Sequence, residues 1–352
     1  MTKPKIIAFY LPQYHTIPEN DEWWGKGFTE WTNVKKAKPM FFGHNQPRVP
    51  LNDNYYDLMN PNTFTWQVEL ANQYGIDGFC FYHYWFNGKL LLEKPLEMYL
   101  EHKEWNKNYC FSWANEPWAR TWDGQNKNVL MPQEYDGERD INNHFNYMLP
   151  FFKDERYMKI GNKPIFVIYR ANSITYFEDM IKIWNVLAQK NGFDGIYFVE
   201  TLTSYSSDKY SENTQATVYM EPMYVLSQRN KFTRIMQTIA SPIKRNKRIS
   251  YRYLWNKVCK EETVSEISWA GAFVDWDNSA RKKKRNMVLT GTNFKSFKKY
   301  FCKTYNKVIS NNCPFIFINA WNEWAEGTYL EPDVKNEYGY LKIIQQVVEQ
   351  KE

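Results

Sequence analysis

Short apolar runs recur along the chain, and between most of them lie longer stretches whose apolar positions repeat at helical spacing. The runs at 5–11, 78–84, 109–113, 164–170, 195–200, 216–222, 267–278 and 315–318 have the length and composition of buried strands. Helical patterns fill 61–74, where a proline stands at the first helical position, and then 91–105, 138–158, 173–190, 293–309 and 338–350. The segment before the sixth run is poorly patterned, and a long basic stretch, helical in parts, precedes the seventh. Eight strands with crossovers after most of them predict an α/β fold, a single (β/α)8 TIM barrel occupying residues 1–352 as one domain. A doubly wound sheet is the alternative, but no G-x-G-x-x-G or P-loop follows an early strand. Polar and aromatic residues cluster where strands one, two, three, six, seven and eight end. In a barrel those ends converge on one face, the face on which barrel enzymes build their sites. The loop after the first strand, with Trp23, Trp24 and Trp31, is long enough to wall such a site.

The last strand carries the densest chemistry. After Phe315-Ile316-Phe317-Ile318 come Asn319, Trp321, Asn322, Glu323, Trp324, Glu326, Gly327 and Glu331. Indole faces stack on the apolar faces of sugar rings, while amides and carboxylates bind hydroxyls and move protons. In an extended backbone Glu323 and Glu326 would face opposite ways. A turn at the strand end makes them neighbours, about 5–6 Å apart at Cβ. Retaining glycosidases hold their carboxyls about 5–5.5 Å apart and inverting ones about 6.5–9.5 Å, so a turned Glu-x-x-Glu suits retention. Glu323 and Glu326 are the candidate catalytic pair, with Trp321 and Asn322 as candidate sugar contacts.

The other strand ends supply further candidates. Strand three ends Trp113-Ala114-Asn115-Glu116-Pro117-Trp118, followed by Arg120, Trp122 and Asp123. Trp113, Asn115, Glu116 and Trp118 are candidate substrate contacts, and Glu116 rivals Glu326 as general acid. Tyr82 and His83 end strand two. Tyr10, Gln13, Tyr14 and His15 follow strand one, as sugar contacts or as packing under the loop. Glu221 either binds a hydroxyl or caps a turn. Asp275-Trp276-Asp277 has the D-x-D form by which many sugar-nucleotide transferases hold a metal, although its late position fits a barrel loop better, and Asp277 is kept as a substrate contact. Five scattered histidines and no paired cysteine spacing predict no metal and no cofactor.

Composition adds an aromatic excess, 15 Trp, 26 Tyr and 23 Phe, which gathers around the acids and amides as well as in the core. The net charge of +6, without a recognisable binding module, argues against nucleic acid. Basic runs at 244–252 and 281–285 read singly as solvated helix faces; together they suit an anionic acceptor such as a lipid diphosphate, or peripheral association with the inner membrane surface. Five cysteines without C-x-x-C spacing, no signal-peptide pattern and no long apolar stretch lead to the expectation of a soluble, cytoplasmic protein with reduced thiols.

Five segments, IAFYLPQYHTIPENDEWWGKGFTEWTNV, FYHYWFNGKLLLEKPL, FSWANEPWARTWDG, VDWDNSAR and NAWNEWAEGTYLEPD, resemble in their order the WbsX-type family of O-antigen and capsule gene clusters, usually labelled glycosyltransferases. The same pattern is similar to glycoside hydrolase family 99, the endo-α-mannosidase group. The resemblance runs from about Lys5 to about Asp333. It implies a (β/α)8 barrel, retention, no metal, and an oligosaccharide or lipid-linked glycan as substrate. It also implies that Glu323 deprotonates the sugar's own 2-hydroxyl, which attacks the anomeric carbon, and that Glu326 protonates the leaving oxygen. Ala325 departs from the hydrolases, which commonly carry histidine there. Two alternatives stay open at this point: a transferase that uses a sugar nucleotide, and a barrel that binds glycan without turnover.

Overall fold

The structure is a computed structural model and describes residues 3–119, 129–229, 247–261, 263–282 and 286–349. Eight strands make one closed barrel: β1 (Lys5–Tyr10), β2 (Gly78–Phe86), β3 (Asn108–Trp113), β4 (Lys163–Ile168), β5 (Tyr197–Leu202), β6 (Ala216–Tyr219), β7 (Ser268–Phe273) and β8 (Phe315–Asn319). Neighbours in sequence pair in parallel, and β1 pairs with both β8 and β2, so the sheet has no open edge. The barrel strands are nearly continuous runs of buried residues, as expected of strands covered on both faces.

Helices cover the outside: α1 (Pro61–Gln73), α2 (Lys94–Glu101), α3 (Gly137–Lys153), α4 (Phe177–Lys190), α5 (Tyr251–Glu261), α6 (Phe294–Ser310) and α7 (Gly339–Glu349). Each longer one buries an apolar stripe. Trp184 of α4, for example, sets its ring 4.8 Å from Phe166 of β4 and 5.9 Å from Phe198 of β5. The β5–β6 connection, residues 203–215, has no helix, in line with its poor patterning.

Aromatic rings fill the barrel. Tyr197 of β5 stacks on Trp269 of β7, 5.8 Å away, across the interior past β6. Trp269 in turn stacks on Phe317, Phe317 meets Phe9, and Phe9 stacks on Tyr82. Part of the aromatic excess is therefore core. Gly271 lets β7 approach β6 this closely, because a Cβ there would lie 2.3 Å from the Tyr219 carbonyl oxygen.

Several boundaries differ from the sequence reading: the sixth and seventh strands end at Tyr219 and Phe273, the helix expected from 173 begins at Phe177, and two helices are shortened by hairpins. The pattern at 91–105 begins as helix only at Lys94, since Lys89–Leu91 folds back antiparallel on Tyr84–Phe86. Asn87 and Gly88, with φ of 45° and 86°, form the tight turn that an Asn-Gly pair between apolar runs favours. The helix expected over 138–158 stops at Lys153, and Lys159–Ile160 forms a hairpin with Lys163–Pro164 instead. Among the described residues no helix is long and apolar enough to cross a membrane.

Candidate active site

The C-terminal ends of the strands open on a cleft of about 1010 Å³, at the upper end of the roughly 300–1,000 Å³ usual for ligand sites. The backbone after β8 does turn. Asn322–Glu323 pairs briefly with Thr328–Tyr329, Trp324–Glu326 makes one 3-10 turn, and Gly327 closes it in the left-handed conformation at φ 65°. The turn brings both Glu323 and Glu326 to the cleft.

One guanidinium holds them there. Arg281, on the loop after β7, donates from Nη2 to Glu323 Oε2 at 3.0 Å and lies 2.7 Å through Nη1 from Glu326 Oε1. Its Nε donates to Oε1 of Glu30 at 2.9 Å, and Glu30 is fully buried. Glu30 is delivered by the loop after β1, whose Trp31 packs 5.3 Å from Trp324 and 4.7 Å from Tyr14. Three carboxyl groups thus share one cation, and no described residue reaches Glu30 Oε2. Burial, with Glu326 and Glu30 adding to it against the pull of Arg281, raises the Glu323 carboxyl to about 8.

Of the candidates named from sequence, Tyr82, Glu116, Trp118, Glu323 and Glu326 line the cleft, as does Gln13. Trp118 and Tyr84 form an aromatic wall, rings 5.2 Å apart, with Trp23 behind. Glu116 accepts from Arg170 Nη1 at 2.7 Å; burial raises its carboxyl and Arg170 opposes the shift.

The remaining candidates are not among the residues that line the cleft, and each has protein partners. Tyr10 is buried and donates to Gln67. Asn322 is fully buried: its Oδ1 accepts from Leu11 N at 2.8 Å and its Nδ2 donates to the Leu11 carbonyl and Tyr56. Trp321 packs edge-on against Phe79 beneath the floor. Trp113 donates its indole N–H to the Trp85 carbonyl and is buried. Asn115 bridges to Arg170 through its N–H and carbonyl, which fastens the β3 loop to the β4 loop. His83 lies in the core with Nε2 2.9 Å from His144 Nε2, and burial lowers it to about 3, so the ring is neutral. Glu221 is buried and accepts from Val225 N, the turn-capping role.

Asp277 is a structural anion. His44 and Gln46 each reach its Oδ2 at 2.8 Å, and Ser279 N donates to its Oδ1. Burial pushes its carboxyl up, but these partners and Arg48 outweigh that and hold it at about 2. Its neighbour Asp275 accepts from Arg48 and Thr292, so the D-x-D pair is occupied by protein groups. Among the described residues no group of three His, Cys, Asp or Glu could hold a metal ion. Arg120, Trp122 and Asp123 lie outside the described residues, as do parts of both basic runs.

Sequence reasoning missed Arg281 and Glu30. Arg281 heads a basic run that reads as a solvated helix face, yet it closes the segment VDWDNSAR, whose two acids are internal. Glu30 stands between Thr29 and Trp31, an acid where an apolar neighbourhood is being built; that was the available signal.

Asp277 also fixes the turn, because its N–H donates to the Glu326 carbonyl. A Cβ on Gly327 would stand 2.9 Å from both Asp277 Cβ and Arg48 Nη2, at a φ that side chains resist. Gly327→Ala is expected to lower stability by about 1–3 kcal/mol and to reduce turnover with it. Thermal denaturation checks this, and an unchanged melting curve would mean the turn is not so constrained.

Over residues 6–344 the chain matches the family described as Glycosyltransferase WbsX. It is 32% identical over 346 residues to WxcX of Xanthomonas campestris pv. campestris, a match that covers 97% of this chain and 49% of that protein. The chain therefore spans about half the length of the curated relatives it matches. Among solved structures, a glycoside hydrolase-like protein superposes with a TM-score of 0.61 at 14% identity, over 100% of this chain and 95% of that one. The GH99 endo-alpha-mannosidase from Bacteroides thetaiotaomicron superposes at 0.55 with 13% identity, over 99% and 97%. At such identities the likeness is one of fold.

Proposed function

The chain belongs to the family described as glycosyltransferase WbsX, a family of carbohydrate-active enzymes, and from that premise we propose that it cleaves or transfers an α-linked glycosyl group with retention, using Glu323 and Glu326. The observation that carries this reading is the pair of carboxyl groups held by Arg281 at the cleft floor, one buried and one partly open. Glu323, raised to about 8, is a strong base once ionised. It takes the proton of the sugar's 2-hydroxyl as O2 forms its bond to C1. The bond from C1 to the departing oxygen breaks, and Glu326 gives that oxygen its proton. In the second half Glu326 takes a proton from the acceptor as the acceptor oxygen bonds to C1. The C1–O2 bond opens, and Glu323 returns its proton to O2. Two inversions leave the configuration retained.

The acceptor is water in a hydrolase and a sugar hydroxyl in a transferase; the family description favours the second. The substrate on this reading is an oligosaccharide or lipid-linked precursor of a surface polysaccharide, handled in the cytoplasm. The test is consumption of α-mannosyl and α-glucosyl fluoride without nucleotide, with and without an oligosaccharide acceptor. Fluoride release only with acceptor is expected. Release into water alone would make the enzyme a hydrolase. Consumption of a sugar nucleotide but of neither fluoride would sink the two-glutamate mechanism.

A further inference from the structure

Phe41 and Phe42 stand side by side in the loop that follows the short helix Glu30–Lys36, and the fold treats them differently. Phe41 is half-buried: its ring stacks on His44 at 4.3 Å and takes the Arg248 guanidinium at 4.3 Å. Phe42 is 106% exposed, more than any other large apolar side chain among the described residues. Gly43, at φ 76°, turns the chain back directly after it.

A single exposed aromatic is ordinary on a protein surface, so the hold on this one decides its meaning. The loop is pinned from below. His44 Nδ1 accepts from Met40 N at 3.0 Å, His44 N donates to the Phe41 carbonyl, and His44 Nε2 donates to Asp277 Oδ2 at 2.8 Å. Gln46 reaches the same oxygen at 2.8 Å. Asp277 N in turn donates to the Glu326 carbonyl, so the tip is braced against the turn that carries both candidate glutamates. Asn286, next to the cleft-lining Met287, donates to Met40 Sδ at 3.1 Å, which sets the loop beside the cleft. A slack loop would fold Phe42 onto the protein; a braced one keeps it in water, ready to be buried elsewhere.

Charge says by what. Residues 31–52 hold Lys35, Lys36, Lys38 and Arg48 and no acid. Lys35 lies 4.1 Å over the Tyr55 ring and Arg48 is buried on Asp275, whereas Lys36 and Lys38 are exposed on the way into the tip. Arg248, on the short strand Lys247–Ser250, is exposed while it covers Phe41. An apolar wedge among cations suits a bilayer: the ring settles among headgroups, and lysine and arginine meet lipid phosphates. A second copy docking here about a two-fold axis would set the same cations against each other.

We propose that the loop 37–44 is a membrane-docking edge, at which Phe42 enters the headgroup layer of an anionic bilayer while Lys36, Lys38 and Arg248 rest on its lipid phosphates. The bracing through Asp277 then holds the cleft close to that surface. The inference does not rest on the glycosyl reading, since docking is measured without turnover.

Flotation of the full chain with vesicles of phosphatidylcholine alone, and with about one third phosphatidylglycerol, is the test. The chain should float with the anionic vesicles, far less with the neutral ones, and less with both as salt is raised. Phe42→Ser should weaken the partition by about tenfold, and Lys36→Ala with Lys38→Ala by about 30-fold. Phe42→Trp should float like wild type, because tryptophan also settles at the interface. All of these side chains are exposed, so unchanged thermal melts separate lost docking from lost folding. No flotation with anionic vesicles would overturn the proposal. Wild-type flotation of Phe42→Ser beside a loss in the double lysine variant would also overturn it, leaving a charged face without a wedge. A dimer in solution that Phe42→Ser dissolves, without vesicle binding, would replace the bilayer by a second copy.

Discussion

Glu323→Gln is expected to lower kcat/KM on every glycosyl donor by about 10³-fold or more, whereas Glu326→Gln should cost far less on a fluoride than on a sugar leaving group. Fluoride departs with little proton help, so loss of the acid is masked there, while loss of the base for O2 is not. On a fluoride, where no acid is needed, the wild-type kcat/KM should rise with pH about tenfold per unit below pH 8 and level off above it, because the base acts only when ionised and burial holds it at about 8. Stability should move the opposite way. A carboxyl raised in the folded state keeps a proton that the unfolded chain releases near pH 4.3, so folding loses stability as pH climbs from about 4.3 to about 8. Glu323→Gln removes that loss: it should melt with wild type near pH 4 and about 2–4 °C higher near pH 8. Equal losses for the two glutamine variants on fluoride would sink the assignment of roles. A Glu323→Gln protein no more stable than wild type at pH 8 would deny the buried carboxyl its cost.

Arg281 carries the second large effect. Lysine cannot reproduce a planar fork on three carboxyl groups, so Arg281→Lys should lower kcat/KM by about 10²-fold with a cooperative fold retained. Arg281→Ala removes the cation that pulls the Glu323 carboxyl down. Its activity limb should therefore move to higher pH than wild type, and its stability should fall by about 3–5 kcal/mol under alkaline conditions, where buried carboxylates lack their partner. The reading is checked by the pH dependence of kcat/KM together with thermal melts at pH 6 and pH 9. An Arg281→Ala limb at the wild-type position, whatever the rate, would show that the arginine does not act through Glu323.

The barrel was legible because each strand is a short buried run and most crossovers carry a helical stripe, patterns local to the sequence. The Glu-x-x-Glu turn was legible for the same reason, since its geometry is decided within five residues ending at Gly327. The hairpin at Asn87-Gly88 is written in the chain but masked, because the leucines after it also satisfy a helical period. The rest of the site was hidden by distance. Which polar residue at a strand end meets ligand and which meets protein depends on partners hundreds of residues away, as with Asn322 on Leu11 or Asp277 on His44. Glu331 is a further case. It accepts from Tyr56, Gln67 and Trp324 below the floor, and burial still raises its carboxyl to about 7. An acid beside a strand end can be scaffold as readily as chemistry.

The seam at which β1 meets β8 has a consequence for how the chain comes into being. The contacts that shape the floor join its two ends: Leu11 to Asn322, Tyr14 to Asn322 and Trp324, Glu30 to Arg281. They span 311, 308 and 251 residues for the bonds to Asn322 and from Arg281. Closing loops of that size costs entropy that no local pairing returns, so these contacts form late. During synthesis the first strand and Glu30 emerge long before the segment that completes them. A partly made chain therefore has strands and helices but no cleft floor, and turnover begins only once the barrel has closed on itself.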